Sequence, residues 1–262
     1  MRALHTAATG MAAQELNVQV ISNNIANMRT TGYKRQRAEF QDLLYEHVSR
    51  VGSQTSSQGN ILPAGIELGS GVKAVGTPRL MTQGGLAATG KDYDVAIRGE
   101  GFFKITMPDG RTAYTRDGSF ELDAQGRLVT AAGNVVQPGI TIPQNATSVI
   151  INAQGQVSAS VPGTTTPTTL GQIELSHFVN KAGLQGIGDN LYYETPASGA
   201  PQNGTPSTDG LGDLQQGNLE QANVEAVSEI SDLIAAQRAY EMNAKVITAA
   251  DQMLSATSNL MR

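Results

Sequence analysis

The C-terminal stretch decides the fold: residues 218–262 read NLEQANVEAVSEISDLIAAQRAYEMNAKVITAADQMLSATSNLMR and contain neither Gly nor Pro. A row of mostly apolar residues recurs there at every seventh position, which is typical of a helix face that packs against a partner helix. The row consists of Leu219, Ala226, Leu233, Tyr240, Ile247, Leu254 and Met261. Seven such positions without a helix breaker predict one helix of roughly 40 residues, about 60 Å long. This length favours a coiled coil or a fibrous assembly, since globular helices average about 11–12 residues.

The N-terminal stretch, residues 1–31, carries a matching apolar stripe, and Gly10 is the only Gly or Pro within it. The stripe consists of Leu4, Met11, Val18 and Ile25, with Ile21 beside them. Between Arg2 and Arg29 the only formal charge is Glu15, so few charged side chains are available to face water. Such a helix is expected to be covered on several sides. We therefore expect the two terminal helices to pair as a coiled coil and to become ordered on assembly. An ordinary core face is the alternative interpretation of both stripes.

The middle of the chain is rich in Gly and Pro, unlike the two ends, and turn signals recur there roughly every 8–12 residues. The two most similar turns are Asp123-Ala124-Gln125-Gly126 and Asn152-Ala153-Gln154-Gly155. An Asp or Asn at the start and a Gly at the end fit a type I turn followed by a left-handed residue. Residues 73–195 are therefore predicted to form a hairpin-rich, all-β domain of sandwich or barrel-like kind.

These patterns together predict an α+β protein with four parts. The terminal stretches 1–31 and 218–262 form the helical layer, and residues 73–195 form the β domain. Residues 32–72 are predicted to be an extended or hairpin connecting segment. Residues 196–217 are rich in Gly, Pro, Asn and Ser, which predicts a flexible return linker.

Composition excludes several classes of function. The chain has no Cys, so it has no disulfide, thiolate metal site or Cys nucleophile. A formal net charge of −5 argues against nucleic-acid binding. No apolar run approaches the roughly 20 residues of a membrane span, and the N-terminus lacks the apolar core of a secretory signal peptide. No His lies at metal-ligand spacing from another, and no carboxylate pair suggests glycan cleavage. We expect no catalytic, cofactor-binding or metal-binding residues, and no enzymatic activity.

Residues 22–34 read SNNIANMRTTGYK, which resembles the signature of bacterial flagellar basal-body rod and hook proteins. In that signature an Asn-rich helix end precedes Thr-x-Gly-aromatic-basic. The matching positions are Asn24, Ala26, Asn27, Thr30, Gly32, Tyr33 and Lys34. The stretches 35–45, 113–120 and 237–245 extend the resemblance to essentially the whole chain, and they are most similar to distal rod proteins. A glycine at position 32 permits the left-handed exit from the helix, and Asn side chains satisfy backbone groups where the helix ends.

The resemblance implies a structural subunit that self-assembles into the hollow distal rod of the flagellar basal body. This rod transmits torque from the motor to the hook across the periplasm. The implied partners are further copies, proximal rod and hook subunits at the two ends, and ring proteins of the peptidoglycan and outer-membrane layers. Neither nucleic acid nor membrane insertion is implied. The subunit is expected to be exported by the flagellar type III apparatus without a cleaved signal peptide. Its terminal helices are expected to line the inner wall of the tube around a channel, and the β domain is expected to lie outside them.

Two other functions stay open from the sequence. One is a proximal rod or hook-type subunit of the same family, although hook proteins are longer and residues 51–71 resemble the extra segment of distal rod proteins. The other is a secreted β-rich adhesin or binding module with helical ends.

Overall fold

The computed structural model describes residues 2–49, 64–163 and 166–260, with the side chains of the last helix described through residue 257. The chain divides into two compact units. We call the first the helical unit; it takes Met1–Ile25, Gln36–Pro78 and Ala226–Arg262. We call the second the β unit; it takes Ala26–Arg35 and Arg79–Glu225.

Two long helices form the helical unit, α1 over Arg2–Ala26 and α2 over Ala226–Leu260. The α+β class, with a helix at each end and a β-rich centre, is confirmed. The predicted start of the C-terminal helix at residue 218 is wrong, because Asn218–Glu220 is a β-strand. A buried carboxylate explains this difference: Glu220 is fully enclosed in the β unit by two cationic side chains, and a helix beginning at 218 would pull it away from them.

Two contacts between the described parts of α1 and α2 define how these helices run. Asn24, near the end of α1, donates to Glu229, near the start of α2, over 3.1 Å. Near the other end of α1, a Cβ added to Gly10 would lie 2.9 Å from the Asn243 amide nitrogen. Because the contact moves back along α1, from Asn24 to Gly10, as it moves forward along α2, from Glu229 to Asn243, the two helices run antiparallel.

The helical unit also contains four strands that form two antiparallel pairs, which we together call the ribbon. They are β1 (Glu39–Asp42), β2 (Tyr45–Ser49), β3 (Ile66–Gly69) and β4 (Val72–Gly76). β1 pairs with β4 and β2 with β3, both antiparallel. The expected connecting segment thus contains paired strands where it is described, while residues 50–63 within it lie outside the described part of the chain.

Sixteen strands and one short 3₁₀ helix are described in the β unit. They are β5 (Leu86–Ala88), β6 (Val95–Arg98), β7 (Phe102–Thr106), β8 (Thr112–Thr115), β9 (Phe120–Leu122), β10 (Leu128–Thr130), β11 (Val135–Val136), β12 (Ser148–Ile151), β13 (Gln156–Ser160), β14 (Thr168–Gln172), β15 (Leu175–His177), the 3₁₀ helix Lys181–Gly183, β16 (Gln185–Gly188), β17 (Leu191–Tyr193), β18 (Gln202–Gly204), β19 (Asp213–Gln216) and β20 (Asn218–Glu220).

The strands of the β unit pair antiparallel throughout their described lengths. A nine-stranded sheet has the order β16-β17-β8-β7-β11-β10-β9, with β15 also against β7 and β18 against β15. A three-stranded sheet has the order β12-β13-β14, and two further pairs are β19–β6 and β20–β5. The predicted turn glycines are confirmed, since Gly126 and Gly155 have φ values of +79° and +81°.

Side-chain alternation on the nine-stranded sheet separates two cores. Phe103 and Ile105 of β7 point into the large aliphatic core, whereas the neighbouring Phe102 lies in a smaller aromatic cluster. In that cluster Tyr114 and Phe178 meet edge to face, with ring centroids 4.8 Å apart. Both faces of this part of the sheet are therefore covered.

The segment 196–217 differs from the predicted flexible linker, because it contains β18 and β19. Leu211 and Leu214 are buried in the large core. The Gln216 amide donates to Val149 O over 2.8 Å, and its oxygen accepts from Ile151 N over 3.0 Å. The Gly- and Asn-rich composition reflects tight turns between short strands, so the segment is an integral part of the β unit.

Candidate assembly site

The contact face of α2 is built from small and polar residues at seven-residue spacing. Glu229, Ala236 and Ala250 are buried, and Asn243 is half-buried between them. On α1 the buried positions are Ala7, Ala13, Val20, Ile21 and Asn24. Small side chains allow two helix backbones to approach closely.

The predicted packing residues lie mostly beside this contact face. Ile21 is buried. Leu4, Met11, Val18, Ile25, Leu233 and Ile247 are half-buried, while Tyr240 and Leu254 are exposed. Leu219 lies on β20, where it pairs with Ala87, and Met261 lies outside the described residues. The predicted heptad row of α2 lies beside the most buried row, which runs through Glu229 and its heptad partners. Periodicity in apolar residues could not reveal a row of Glu, Ala and Asn.

The N-terminal half of α2 exposes an apolar face directed away from the α1 contact. Val227, Ile230 and Ile234 are 73%, 49% and 52% exposed. Their spacing of three and four residues places them on one side of the helix. Large apolar side chains grouped on a surface mark an interaction site more often than isolated ones do.

The family-motif residue Asn24 ties three segments of the helical unit together. Its amide nitrogen donates to Gln36 O over 2.9 Å and to Glu229 Oε2 over 3.1 Å. Its oxygen accepts from Gln36 N over 3.0 Å. A buried Asn can satisfy donor and acceptor sites at once, which accounts for the amide at this position.

Ala26 is the last residue of α1, and the motif residues after it form the turn that follows, in the β unit. Thr30 N donates to Asn27 O over 3.0 Å, and its hydroxyl donates to Asn27 Oδ1 over 3.2 Å. Gly32 has φ +69°, and a Cβ there would lie 2.8 Å from the backbone N of Asp117. Only glycine meets both requirements without strain. Ala26 is exposed, and Tyr33 is half-buried.

Lys34, the last motif residue, belongs to a buried ion cluster, which we define as Lys34, Arg116 and Glu220. The side chains of Lys34, Arg116 and Glu220 are 1%, 4% and 0% exposed. Glu220 Oε1 accepts from Lys34 Nζ over 2.7 Å, and Oε2 accepts from Arg116 Nε over 2.8 Å. Further donor capacity is satisfied by carbonyl oxygens of Thr82, Gly99 and Gly101.

Burial and charge act in opposite directions within the buried ion cluster. Burial lowers the pKa of Lys34, and the neighbouring Arg116 adds to this, against the opposing effect of Glu220. Burial alone raises the pKa of Glu220, but Arg116 and Lys34 outweigh it, so this pKa lies below its ordinary value. Glu220 is therefore ionised at neutral pH and supplies the negative charge of the cluster.

Asn223, three residues after Glu220, makes further hydrogen bonds between chain segments of the β unit. The Asn223 side-chain oxygen accepts from Arg35 N over 2.7 Å. Its nitrogen donates to Leu80 O and Thr82 O over 2.8 and 3.1 Å. The turn after α1, the entry to the β unit near residue 80 and its exit near residue 220 are thus held together.

Within the described ranges, no group of three or more His, Asp and Glu side chains is placed to hold a metal ion. His5 lies on α1 and His177 on β15, while His47 Nδ1 is 3.2 Å from a Glu67 carboxylate oxygen on the ribbon. Neither α1 nor α2, over their described lengths, is long and apolar enough to cross a membrane.

Comparison with known proteins places these features in one family. The family model described as "Flagella basal body rod protein" matches residues 4–34, and "Flagellar basal body rod FlgEFG protein C-terminal" matches residues 215–260. "Flagellar hook protein FlgE/F/G D1 domain" matches residues 96–159. The chain is similar to the flagellar basal-body rod protein FlgG of Caulobacter vibrioides, with 57% identity over 99% of both chains. It is 50% identical over the full length of both chains to the FlgG of Agrobacterium fabrum.

This chain belongs to the flagellar basal-body rod family. The family is structural and is not an enzyme family. The rod-protein relatives at 46–57% identity are FlgG proteins, which are distal rod proteins. The flagellar hook-basal body complex protein FlhP of Bacillus subtilis matches at only 29% identity over 97% of both chains. The proximal-rod, hook-type and adhesin alternatives are accordingly not favoured.

The three matched regions of this rod protein each contribute one member of the buried ion cluster. Lys34 closes the N-terminal match, Arg116 lies in the central match and Glu220 lies in the C-terminal match. Sequence reasoning identified Lys34 alone, as a motif residue. Arg116 lies in the stretch 113–120 that extends the resemblance but is not singled out there, and Glu220 carries no local signal, because charged residues in strands and turns are ordinarily exposed.

Proposed function

We propose that this rod protein is the self-assembling subunit of a hollow distal rod, a drive shaft that carries torque from the motor to the hook across the periplasm. The observation that carries the proposal is the exposed apolar face of α2 at Val227, Ile230 and Ile234. In a polymer, neighbouring copies cover this face, and burial of apolar surface supplies the association free energy. A heterologous contact repeated along a helix builds an open filament.

The finer arrangement that we propose is the one that the resemblance to flagellar rod proteins implies. The α1–α2 pair packs as a coiled coil, and many such pairs line the inner wall of the tube around an export channel. The β unit is a sandwich or barrel-like body. The ends of the rod meet proximal rod and hook subunits, and ring proteins of the peptidoglycan and outer-membrane layers surround it. The subunit reaches this place through the flagellar type III apparatus without a cleaved signal peptide. The seven-residue spacing of Glu229 and Ala236 and the antiparallel contacts of α1 with α2 support the pairing.

The experiment compares two full-length double variants of α2. Ile230→Lys/Ile234→Lys places two cations on the exposed apolar face, and we expect it to abolish assembly of purified protein into tubes seen by electron microscopy. The matched control is Ser228→Lys/Ala235→Lys, which adds the same charge at two exposed positions on another line of the helix. Lys is a good helix former, so neither variant weakens the helix appreciably.

Circular dichroism of both variants verifies that helix content is unchanged. The control is expected to form tubes with a central channel, as the parent protein does. Tubes from Ile230→Lys/Ile234→Lys as long and as numerous as those of the control contradict the proposal. The same holds if the parent protein stays monodisperse under assembly conditions.

A further inference from the structure

The last strand of the β unit, β20 (Asn218–Glu220), is attached by a short pairing. Its three residues pair with Leu86–Ala88 of β5, and Gln221 N donates to Gly85 O over 2.8 Å. Gly84 permits this approach, because a Cβ there would lie 1.9 Å from Gln221 O. A two-stranded pair of this length is marginal in water, so its backbone pairing does not account for the position of β20.

Glu220 supplies the main attachment of β20. Besides the two cations, its Oε1 accepts from Gly84 N over 2.9 Å. Its backbone carbonyl accepts from Gly32 N over 2.8 Å. One residue at the end of the β unit therefore receives donors from the turn after α1, the segment before β5 and the turn after β8.

Without Glu220, the β unit would bury two cations with no described carboxylate in contact with either, since Glu100 acts on Lys34 only as a weaker charge without a hydrogen bond. Arg116 follows directly after β8, whose Tyr114 and Thr115 are themselves buried, so the guanidinium cannot leave while β8 is in the sheet. Lys34 faces it, and each raises the cost of charging the other. Carbonyl oxygens provide hydrogen bonds but no negative charge, and burying unpaired like charges is strongly unfavourable.

We propose that β20 is a closing strand: Glu220 makes stable folding of the entire β unit conditional on the presence of residues 218–220. The cluster joins the first, middle and last parts of this unit, and the two cations precede the anion along the chain. Because the chain is synthesised from its N-terminus, the β unit reaches its stable form only when nearly all of it is available. An incomplete subunit thus remains open instead of folding early around residues 79–215.

Hydrogen exchange of full-length variants tests this role. Glu220→Gln keeps the shape of the side chain and removes its charge. Because breaking a buried pair leaves unpaired charges, exchange in β20 and in the core strands β7 and β8 is expected to accelerate about a hundredfold. The control is Glu121→Gln, an exposed Glu on β9 of the same unit, which is expected to exchange like the parent protein.

The double variant Lys34→Met/Glu220→Gln separates a charge effect from a loss of contacts. It removes one of the two uncompensated cations, so exchange in β7 and β8 is expected to slow about tenfold relative to Glu220→Gln. If Glu220→Gln yields no folded protein, recovery of folded protein in the double variant supports the proposal and failure to recover overturns it. The proposal is also overturned if faster exchange is confined to residues 84–88 and 218–221, or if the double variant exchanges as fast as the single one.

Discussion

The substitution Gly32→Ala tests the turn that leads from α1 into the β unit, and Gly133→Ala is its matched control. Both glycines have left-handed backbone conformations, with φ +69° and φ +82°. A Cβ at Gly133 meets nothing within 4 Å, whereas a Cβ at Gly32 would lie 2.8 Å from Asp117 N and 2.9 Å from Arg116 C. The pair therefore shares one destabilising effect and differs in a second.

The shared effect is the left-handed conformation, which costs an Ala roughly 1–2 kcal/mol. At Gly32 the added methyl also forces backbone to move, and overpacking of this kind costs typically about 1–3 kcal/mol more. The displaced backbone includes Arg116, so the buried ion cluster is disturbed as well. We expect Gly32→Ala to lower the free energy of unfolding of the β unit by roughly 2–5 kcal/mol, against about 1–2 for Gly133→Ala.

Urea unfolding followed by near-ultraviolet circular dichroism measures this difference. The chain has no Trp, and the aromatic cluster of Phe102, Tyr114, Phe178 and Tyr192 lies entirely in the β unit, so its tertiary environment dominates the signal. Equal shifts of the two unfolding midpoints would refute the reasoning, since they would show that the turn tolerates a Cβ against residues 116–117.

Two further predictions concern Asn24 and Tyr114. Asn24→Ala removes three hydrogen bonds of about 1 kcal/mol each, so the thermal unfolding transition followed at 222 nm should move to lower temperature. The control, Gln19→Ala at an exposed position of the same helix, should leave the transition in place. Equal transition temperatures of the two variants would contradict the assigned contacts of Asn24. Burial raises the pKa of Tyr114 to about 12, and because this folded-state pKa exceeds the ordinary value near 10, the group's contribution to stability is complete below pH 10 and is lost as pH rises toward 12. Ultraviolet titration of the parent protein and of Tyr114→Phe checks this, and identical phenolate curves above pH 11 would count against it.

The candidate site illustrates why sequence reasoning reaches some residues and misses others. Gly32 stands at the exit from α1, where local geometry restricts the residue type, so its left-handed backbone is predictable from the sequence. Asn24 stands out in the sequence only as a motif residue, and its bridge between Gln36 and Glu229 is visible only in the structure. Glu220 and Lys34 are 186 positions apart, and no local pattern links them. The row of Glu229, Ala236, Asn243 and Ala250 is not predicted for another reason. Its members are polar or small, so the apolar stripe beside it dominates the hydrophobic periodicity of α2.

The sequence by itself determined the two terminal helices, the turn glycines and the family, because helix-breaking residues, heptad spacing and left-handed turn positions act over a few neighbouring residues. Only the tertiary structure decided where α2 begins, that residues 196–217 belong to the β unit, and that Lys34, Arg116 and Glu220 meet. Burial of charge causes that difference. Residues 218–220 continue a helical pattern, but a carboxylate enclosed with two cations gains more from the β unit than its segment gains from one further helical turn.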